Sequence, residues 1–323
     1  MNVLLCAASN NFHFIESIAS AIAENPAYNI KYCDYGAPTL VDLMWADVVW
    51  WEWFDGIVCD LLGNAAVNAK VTAKYIVRLH RYELFTPRTL AKLKQIEATR
   101  AYRRIDKLVF VSPGMQAIGK RMFPWMGNST VLPNLYDGTR FFYAPREKNR
   151  KKILFLGRKT YVKNVPFLLT CFDELYRRDA QYRLFLIGDR AEGEVTAYIQ
   201  NFIQHRRLGH AVFDFGPLSY DKIPEMMAEM DYVVCASTFE SFGMGVVEGM
   251  ATGLIPVVHN FPGAGWIYPA RCRFWTADRF CDVVLSNAHD PGQYAQDVME
   301  RFSIYHQIHR YTALIDGVCY GNA

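Results

Sequence analysis

Short apolar runs alternate with longer stretches in which apolar residues recur every three or four positions. Residues 3–7 are apolar and 14–24 amphipathic; 48–51 lead into a small-residue stretch ending at 74; 75–79 precede 89–104, and 108–111 precede 115–122. A short apolar run reads as a buried strand and a 3.6-residue period as a helix, so this order predicts βαβ units around a parallel sheet. After a break the alternation resumes, with strands at 153–156, 183–187, 212–215, 232–236 and 255–259. Helices fall between and after them at 166–178, 195–207, 222–230 and 243–252. A second doubly wound sheet is expected.

The break is 143–152 (YAPREKNRKK), polar and strongly basic, following the turn-rich 133–138 (PNLYDG). It reads as an interdomain linker. The last apolar-periodic segment, 292–315, is long enough to leave the second domain. The expected organisation is α/β, with two Rossmann-like doubly wound domains facing a cleft. Residues 1–143 with about 298–323 form the first, including a returning C-terminal helix, and 144–297 form the second. A length of 323 residues suits two cores better than one.

Composition narrows the class. With 51% hydrophobic and 21% charged residues the chain has the material for ordered cores. A net charge of +3 is too weak to argue for nucleic acid as a partner. Eight cysteines are scattered without a C-x-x-C pair, which reads as reduced, buried thiols of a cytoplasmic protein. The opening MNVLLCAASN reads as a first strand rather than a signal core or lipoprotein site, and Glu52, Asp55 and Glu248 interrupt the longest apolar stretches. No membrane span is expected.

In open parallel sheets, ligands sit outside the carboxyl ends of the strands, so the loops there are where chemistry is sought. The segment 238–251 (TFESFGMGVVEGMA) follows a buried strand and opens a helix. Its glycines let backbone amides approach a ligand, and the helix start offers unpaired N–H groups, which suit a diphosphate. Glu240 and Glu248 are acceptors for sugar and ribose hydroxyls, although a glycine-opened helix with surface glutamates has the same composition. Residues 157–164 (GRKTYVKN) carry Arg158 and Lys163, cations suited to a leaving diphosphate or merely to a solvated turn. His80 ends an apolar strand in the loop 77–83 (VRLHRYE). No D-x-D triplet is present to hold a divalent ion at a diphosphate.

The run E-S-F-G-x-G-x-x-E-G-M-A-x-G, with Glu240 and Glu248 separated by seven residues, resembles the E-x7-E signature of retaining GT-B glycosyltransferases of the glycosyl transferases group 1 type (glycosyltransferase family four). Arg158 and Lys163 match that family's G-R-x4-K element, with Asn164 where a glycine usually follows. VLPN at 131–134, LIGD at 186–189 and FGPL at 215–218 also resemble segments of the superfamily, most strongly over 153–262. The resemblance implies that Glu240 contacts the transferred hexose, that the amides around Phe242, Gly243 and Met244 hold sugar and phosphate, and that Glu248 binds the donor ribose. It places Gly157, Arg158 and Lys163 at the diphosphate, Phe215 and Pro217 at the base, His80 at the donor sugar, and Asn10 in a first-domain loop that is usually glycine-rich.

The implied activity is metal-independent transfer of a hexose-type sugar from a UDP- or GDP-sugar to a glycan or lipid-linked acceptor, with no cofactor beyond the donor. A nucleotide-sugar epimerase of the same architecture and a non-catalytic sugar-nucleotide-binding subunit are the alternatives. Trp50, Trp51 and Trp53 offer faces for an acceptor sugar or, equally, packing. The basic helix 88–107 suits peripheral contact with the inner face of a membrane, or simply a solvated face.

Overall fold

The structure, a computed structural model, describes residues 1–7, 12–33, 37–145, 151–286 and 288–321. The chain divides into two compact units, Met1–Leu135 with Ile304–Ala323, and Tyr136–Ser303.

The first unit runs β1 (Asn2–Ala7), α1 (Glu16–Ala23), β2 (Asn29–Tyr32), α2 (Leu40–Trp45), β3 (Val48–Glu52), α3 (Gly56–Gly63), α4 (Ala65–Asn68), β4 (Lys74–Leu79), α5 (Pro87–Ala98), β5 (Lys107–Phe110), α6 (Pro113–Met122) and β6 (Ser129–Val131). All neighbouring strands are parallel, in the order β2-β1-β3-β4-β5-β6. Every residue of β3 is buried, as expected of a central parallel strand covered on both faces. Helix starts are marked by side-chain caps: Thr39 in a capping box with Asp42, Asp55, Asn64 and Ser112.

The second unit runs β7 (Lys152–Leu156), α7 (Val165–Arg178), β8 (Arg183–Ile187), α8 (Gly193–His205), β9 (Val212–Asp214), α9 (Ile223–Ala228), β10 (Tyr232–Cys235), α10 (Met244–Ala251), β11 (Ile255–His259), β12 (Arg273–Phe274), α11 (Ala277–Leu285) and α12 (Pro291–Phe302). Its sheet is also wholly parallel, ordered β12-β11-β10-β7-β8-β9. Counted from β7, this is the Rossmann order, whose direction reverses between β7 and β10. The carboxyl ends of those two strands carry the loops singled out above. The last helix, α13 (Ile304–Tyr320), belongs to the first unit, where Tyr311 and Ile315 join Ile18, Ile22 and Trp50 in one core cluster.

Three local expectations are corrected. The basic segment 88–107 is not one helix: α5 stops at Ala98, Arg100 takes a left-handed φ of 59°, a 3₁₀ turn spans Ala101–Arg104, and Lys107 already lies in β5. The apolar period through 292–315 is broken at Ser303, whose extended backbone separates α12 from α13. The units part at 135/136 and 303/304 rather than at 143/144 and 297/298. The cause is packing: Phe141, fully buried, shares the second unit's core with Phe302, and the Tyr136 N–H donates to the Phe302 carbonyl at 3.0 Å. Of the linker read at 143–152, positions 146–150 lie outside the described residues. Among the described residues no helix is long and apolar enough to cross a membrane.

Gly188 follows β8 with φ of 139°, and a Cβ there would lie 2.1 Å from the Gly157 carbonyl oxygen. Gly188→Ala is therefore expected to lower unfolding free energy by about 3 kcal/mol in urea titrations, from overpacking combined with backbone strain. A change below about 0.5 kcal/mol, ordinary for a neutral surface substitution, would show that the two strand ends separate freely.

Candidate functional site

The loop after β7 is fixed by a side chain other than the two cations singled out in the sequence. Lys159 is fully buried, and its ammonium reaches Asp214 Oδ1 at 2.6 Å, the Gly188 carbonyl at 2.9 Å and the Phe215 carbonyl. It thereby ties the ends of β7, β8 and β9 together. Arg158, in contrast, points into solvent with its side chain 71% exposed, 3.9 Å from Asp189. Lys163, in the 3₁₀ turn Tyr161–Lys163, pairs through its ammonium with Glu240 Oε1. Asn164 then takes φ of 52°, a left-handed conformation that asparagine tolerates nearly as well as the glycine usual at this place in the motif.

The loop after β10 meets this turn. The Ser237 hydroxyl donates to the same Glu240 oxygen at 2.7 Å, and the Thr238 N–H donates to the Val162 carbonyl at 2.9 Å. Glu240 is thus mostly buried, one oxygen held by a cation and a hydroxyl. Gly243 turns the chain into α10 with φ of 88°, and a Cβ there would lie 2.6 Å from the Tyr268 hydroxyl. That buried hydroxyl donates to the Phe242 carbonyl at 3.0 Å, fixing the turn from behind.

No side chain caps α10 among the described residues, so the N–H groups of its first residues, Met244 and Gly245, are without the intrahelical acceptors that later residues have. Glycines also bring the helix down onto the sheet: a Cβ would lie 3.2 Å from Leu156 at Gly245 and 2.8 Å from Val233 at Gly249. A helix start of this kind, beside Lys163, favours a bound anion. The Phe242 ring itself lies in the core, edge-on to Phe302 at 5.0 Å, so only its backbone is available to a ligand.

Glu248, one turn further along α10, is 4% exposed and accepts the Tyr220 hydroxyl at 2.7 Å. Burial pushes its carboxyl up to about 7, against the lowering effects of that hydrogen bond and of Arg140. Phe215 and Pro217 are exposed, with Phe215 stacked on Phe185 at 6.4 Å.

In the first unit, Asn10 lies outside the described residues. His80 is 2% exposed, its ring stacked on Trp53 at 3.8 Å and Phe14 at 5.1 Å. Its Nε2 lies 2.6 Å from Glu52 Oε1, which also takes Arg78 at 2.7 Å, while the Trp50 indole N–H donates to Glu52 Oε2 at 2.9 Å. Burial lowers His80 to about 4 despite Glu52. Glu52 is itself buried, yet Arg78 and His80 bring it down to about 2. Trp50 and Trp51 are core residues, 1% exposed each, and Trp53 alone of that cluster is half-buried. Sequence reasoning missed Glu52, Lys159, Ser237, Tyr220 and Tyr268. Lys159 lies within a motif and Ser237 and Tyr220 lie beside one, yet nothing in the pattern separates Lys159 from its neighbour Arg158.

Residues 139–267 match the family model of glycosyl transferases group 1. An uncharacterized glycosyltransferase of Methanocaldococcus jannaschii is 26% identical over 175 residues, 49% of this chain and 42% of the relative. A GDP-mannose:cellobiosyl-diphosphopolyprenol alpha-mannosyltransferase of Xanthomonas oryzae is 29% identical over 132 residues, 41% of this chain and 34% of the relative. The chain thus spans less than half the length of these two relatives. In fold it is similar to Anabaena Alr3699/HepE, solved with UDP and glucose, with a TM-score of 0.76 at 15% identity over 98% of this chain and 99% of that one. Sucrose-phosphate synthase of Thermosynechococcus elongatus gives 0.77 at 13% identity, covering 100% of both chains.

Glu83, fully buried, takes the His80 N–H at 3.1 Å and the Phe54 N–H at 3.4 Å, and burial pushes its carboxyl from 4.5 up to about 8. A raised folded value means stability complete below the unfolded value and lost as pH rises toward the folded one. His80, lowered from 6.5 to about 4, acts oppositely but only below 6.5. Glu248 adds to the fall up to about 7. The urea midpoint is therefore expected to drop between pH 6.5, where a free histidine titrates, and the value of about 8 for Glu83, and to drop less in Glu83→Gln. Equal slopes in the two proteins would contradict the assignment.

Proposed function

We propose that this chain, a GT-B protein of the glycosyl transferases group 1 type, is a retaining glycosyltransferase that moves a hexose-type sugar from a UDP- or GDP-sugar to a glycan or lipid-linked acceptor without a catalytic metal. The observation that carries this reading is the juxtaposition, at the reversal point of the second sheet, of an uncapped glycine-opened helix with the Lys163–Glu240 pair.

In this reading the donor diphosphate lies on the backbone N–H groups at Gly243 and Met244. Lys163 and the solvent-facing Arg158 converge on it from the loop that begins at Gly157. As the glycosidic bond breaks, negative charge gathers on the leaving diphosphate, so cations and dipoles already in place stabilise the transition state more than the ground state. Lys163, paired with Glu240, shares its charge between that carboxylate and the phosphate. Glu240 accepts from hexose hydroxyls and Glu248 from the ribose. Phe215 and Pro217 border the base. His80, neutral at physiological pH and held by Glu52, takes the donor-sugar role from the first unit, and Asn10 contributes there through its loop. The acceptor hydroxyl attacks from the face the diphosphate leaves, with a phosphate oxygen as base, which preserves the anomeric configuration.

GDP- and UDP-sugars both stand as donors because one relative is named for GDP-mannose and a neighbour of similar fold was solved with UDP. The exposed cations Arg88, Lys94, Arg100 and Arg103 supply a basic surface for peripheral contact with the cytoplasmic face of a membrane.

Glu240→Gln and Lys163→Met are each expected to lower kcat by roughly a hundredfold or more, the scale of losing one transition-state electrostatic contact, with circular dichroism unchanged. Turnover should persist in excess chelator, and NMR of the first product formed should show the donor's anomeric configuration. An inverted product would refute the mechanism.

A further inference from the structure

Tyr220 stands on the carboxylate assigned to the ribose and takes no part in the transfer step itself. It opens the 3₁₀ turn Tyr220–Lys222 and is 49% exposed, yet its hydroxyl donates to Glu248 Oε1 at 2.7 Å. The ring is held in place. The Arg140 guanidinium lies over it at 4.7 Å and Phe141 meets it edge-on at 5.6 Å, while Arg140 also pairs with the neighbouring Asp221 at 2.7 Å.

Glu248 is almost wholly covered, so the direction its carboxylate faces is set by what binds it. Two carboxylate oxygens offer about four lone-pair positions. Oε1 is occupied by the phenol, and Oε2 has no hydrogen bond from any described residue. A hydroxyl that fixes one oxygen and leaves the other open converts a flexible acid into a directional acceptor.

We propose that Tyr220 is a positioning residue for the nucleoside: by holding Oε1 of Glu248 it presents Oε2 to the ribose hydroxyls of a nucleoside diphosphate. This rests on the reading of Glu248 as the ribose acceptor. The phenol also works with Arg140 against burial, which on its own favours the neutral acid, a poorer acceptor for the two ribose hydroxyls.

Calorimetric titration of the whole chain with UDP, with GDP and with their 2′,3′-dideoxy forms tests this. Tyr220→Phe is expected to weaken the better-bound ribonucleotide roughly tenfold, as for loss of one hydrogen bond to a charged group. Its affinity for the dideoxy form should stay within about twofold, since that ligand cannot use the interaction. In turnover the donor KM rises by the same factor at constant kcat. Arg140→Gln, which keeps the hydroxyl but removes the cation over the ring, should show the same ribose-selective loss, and it serves as the test should Tyr220→Phe lower the thermal midpoint. No loss, tighter binding, or equal loss for the two ligand types would overturn the proposal. If the unmodified chain binds neither UDP nor GDP, the donor assignment itself falls, a result distinct from loss of selectivity alone.

Discussion

The second unit depends on a backbone constraint at one turn. To begin α10 directly beneath the ends of β7 and β10, the chain must adopt a left-handed residue at Gly243, with the Tyr268 hydroxyl so close behind that no side chain fits. The helix consequently starts without a capping side chain, and its first amide groups are left for something outside the helix. Glycines at 245 and 249 remove the bulk that would hold the helix off the sheet. The Lys163–Glu240 pair sits at the end of this arrangement, and its position follows from the turn rather than creating it.

The two units handle buried charge differently. In the second, the buried ammonium of Lys159 faces Asp214 and two carbonyl groups, a compensated arrangement that holds strand ends together. In the first, Glu52 gathers Arg78, His80 and Trp50 around one carboxylate, all with almost no exposure. Breaking such a cluster from one side leaves an uncompensated charge in a low-dielectric setting, so its members are mutually dependent even though the cluster as a whole need not add much stability. Burial keeps the imidazole of His80 neutral against the pull of Glu52, and its ring is stacked on Trp53 and on Phe14.

The alternation of strands and helices was legible because central parallel strands are short apolar runs while the helices between them are amphipathic, and these periods differ strongly. What escaped were interruptions without a compositional mark. Arg100 in a left-handed conformation and Ser303 in an extended one end helical periods with no glycine or proline to announce it. The same contrast holds at the site. Glu240, Glu248 and Lys163 stand at spacings that a local pattern reveals, and the structure brings Lys163 onto Glu240. Tyr268 acts on residues 25 and 26 positions earlier, Tyr220 on one 28 positions later, and Glu52 on a histidine 28 positions away. Those partnerships are products of strand order and cannot be read from spacing.

The closing helix carries a consequence for biogenesis. Tyr311 on α13 donates its hydroxyl to the Pro133 carbonyl at 2.7 Å and stacks on Trp50 at 5.7 Å, and Asp316 accepts from Tyr28 at 2.9 Å. These partners are made more than 170 residues earlier, so a ribosome releases the entire Tyr136–Ser303 unit while the amino-terminal sheet still lacks part of its cover. Order of synthesis and order of completion are therefore reversed for the two units: the one begun first is completed after the one that follows it, and the nascent chain exposes an apolar surface around Ile18, Ile22 and Trp50 until α13 emerges.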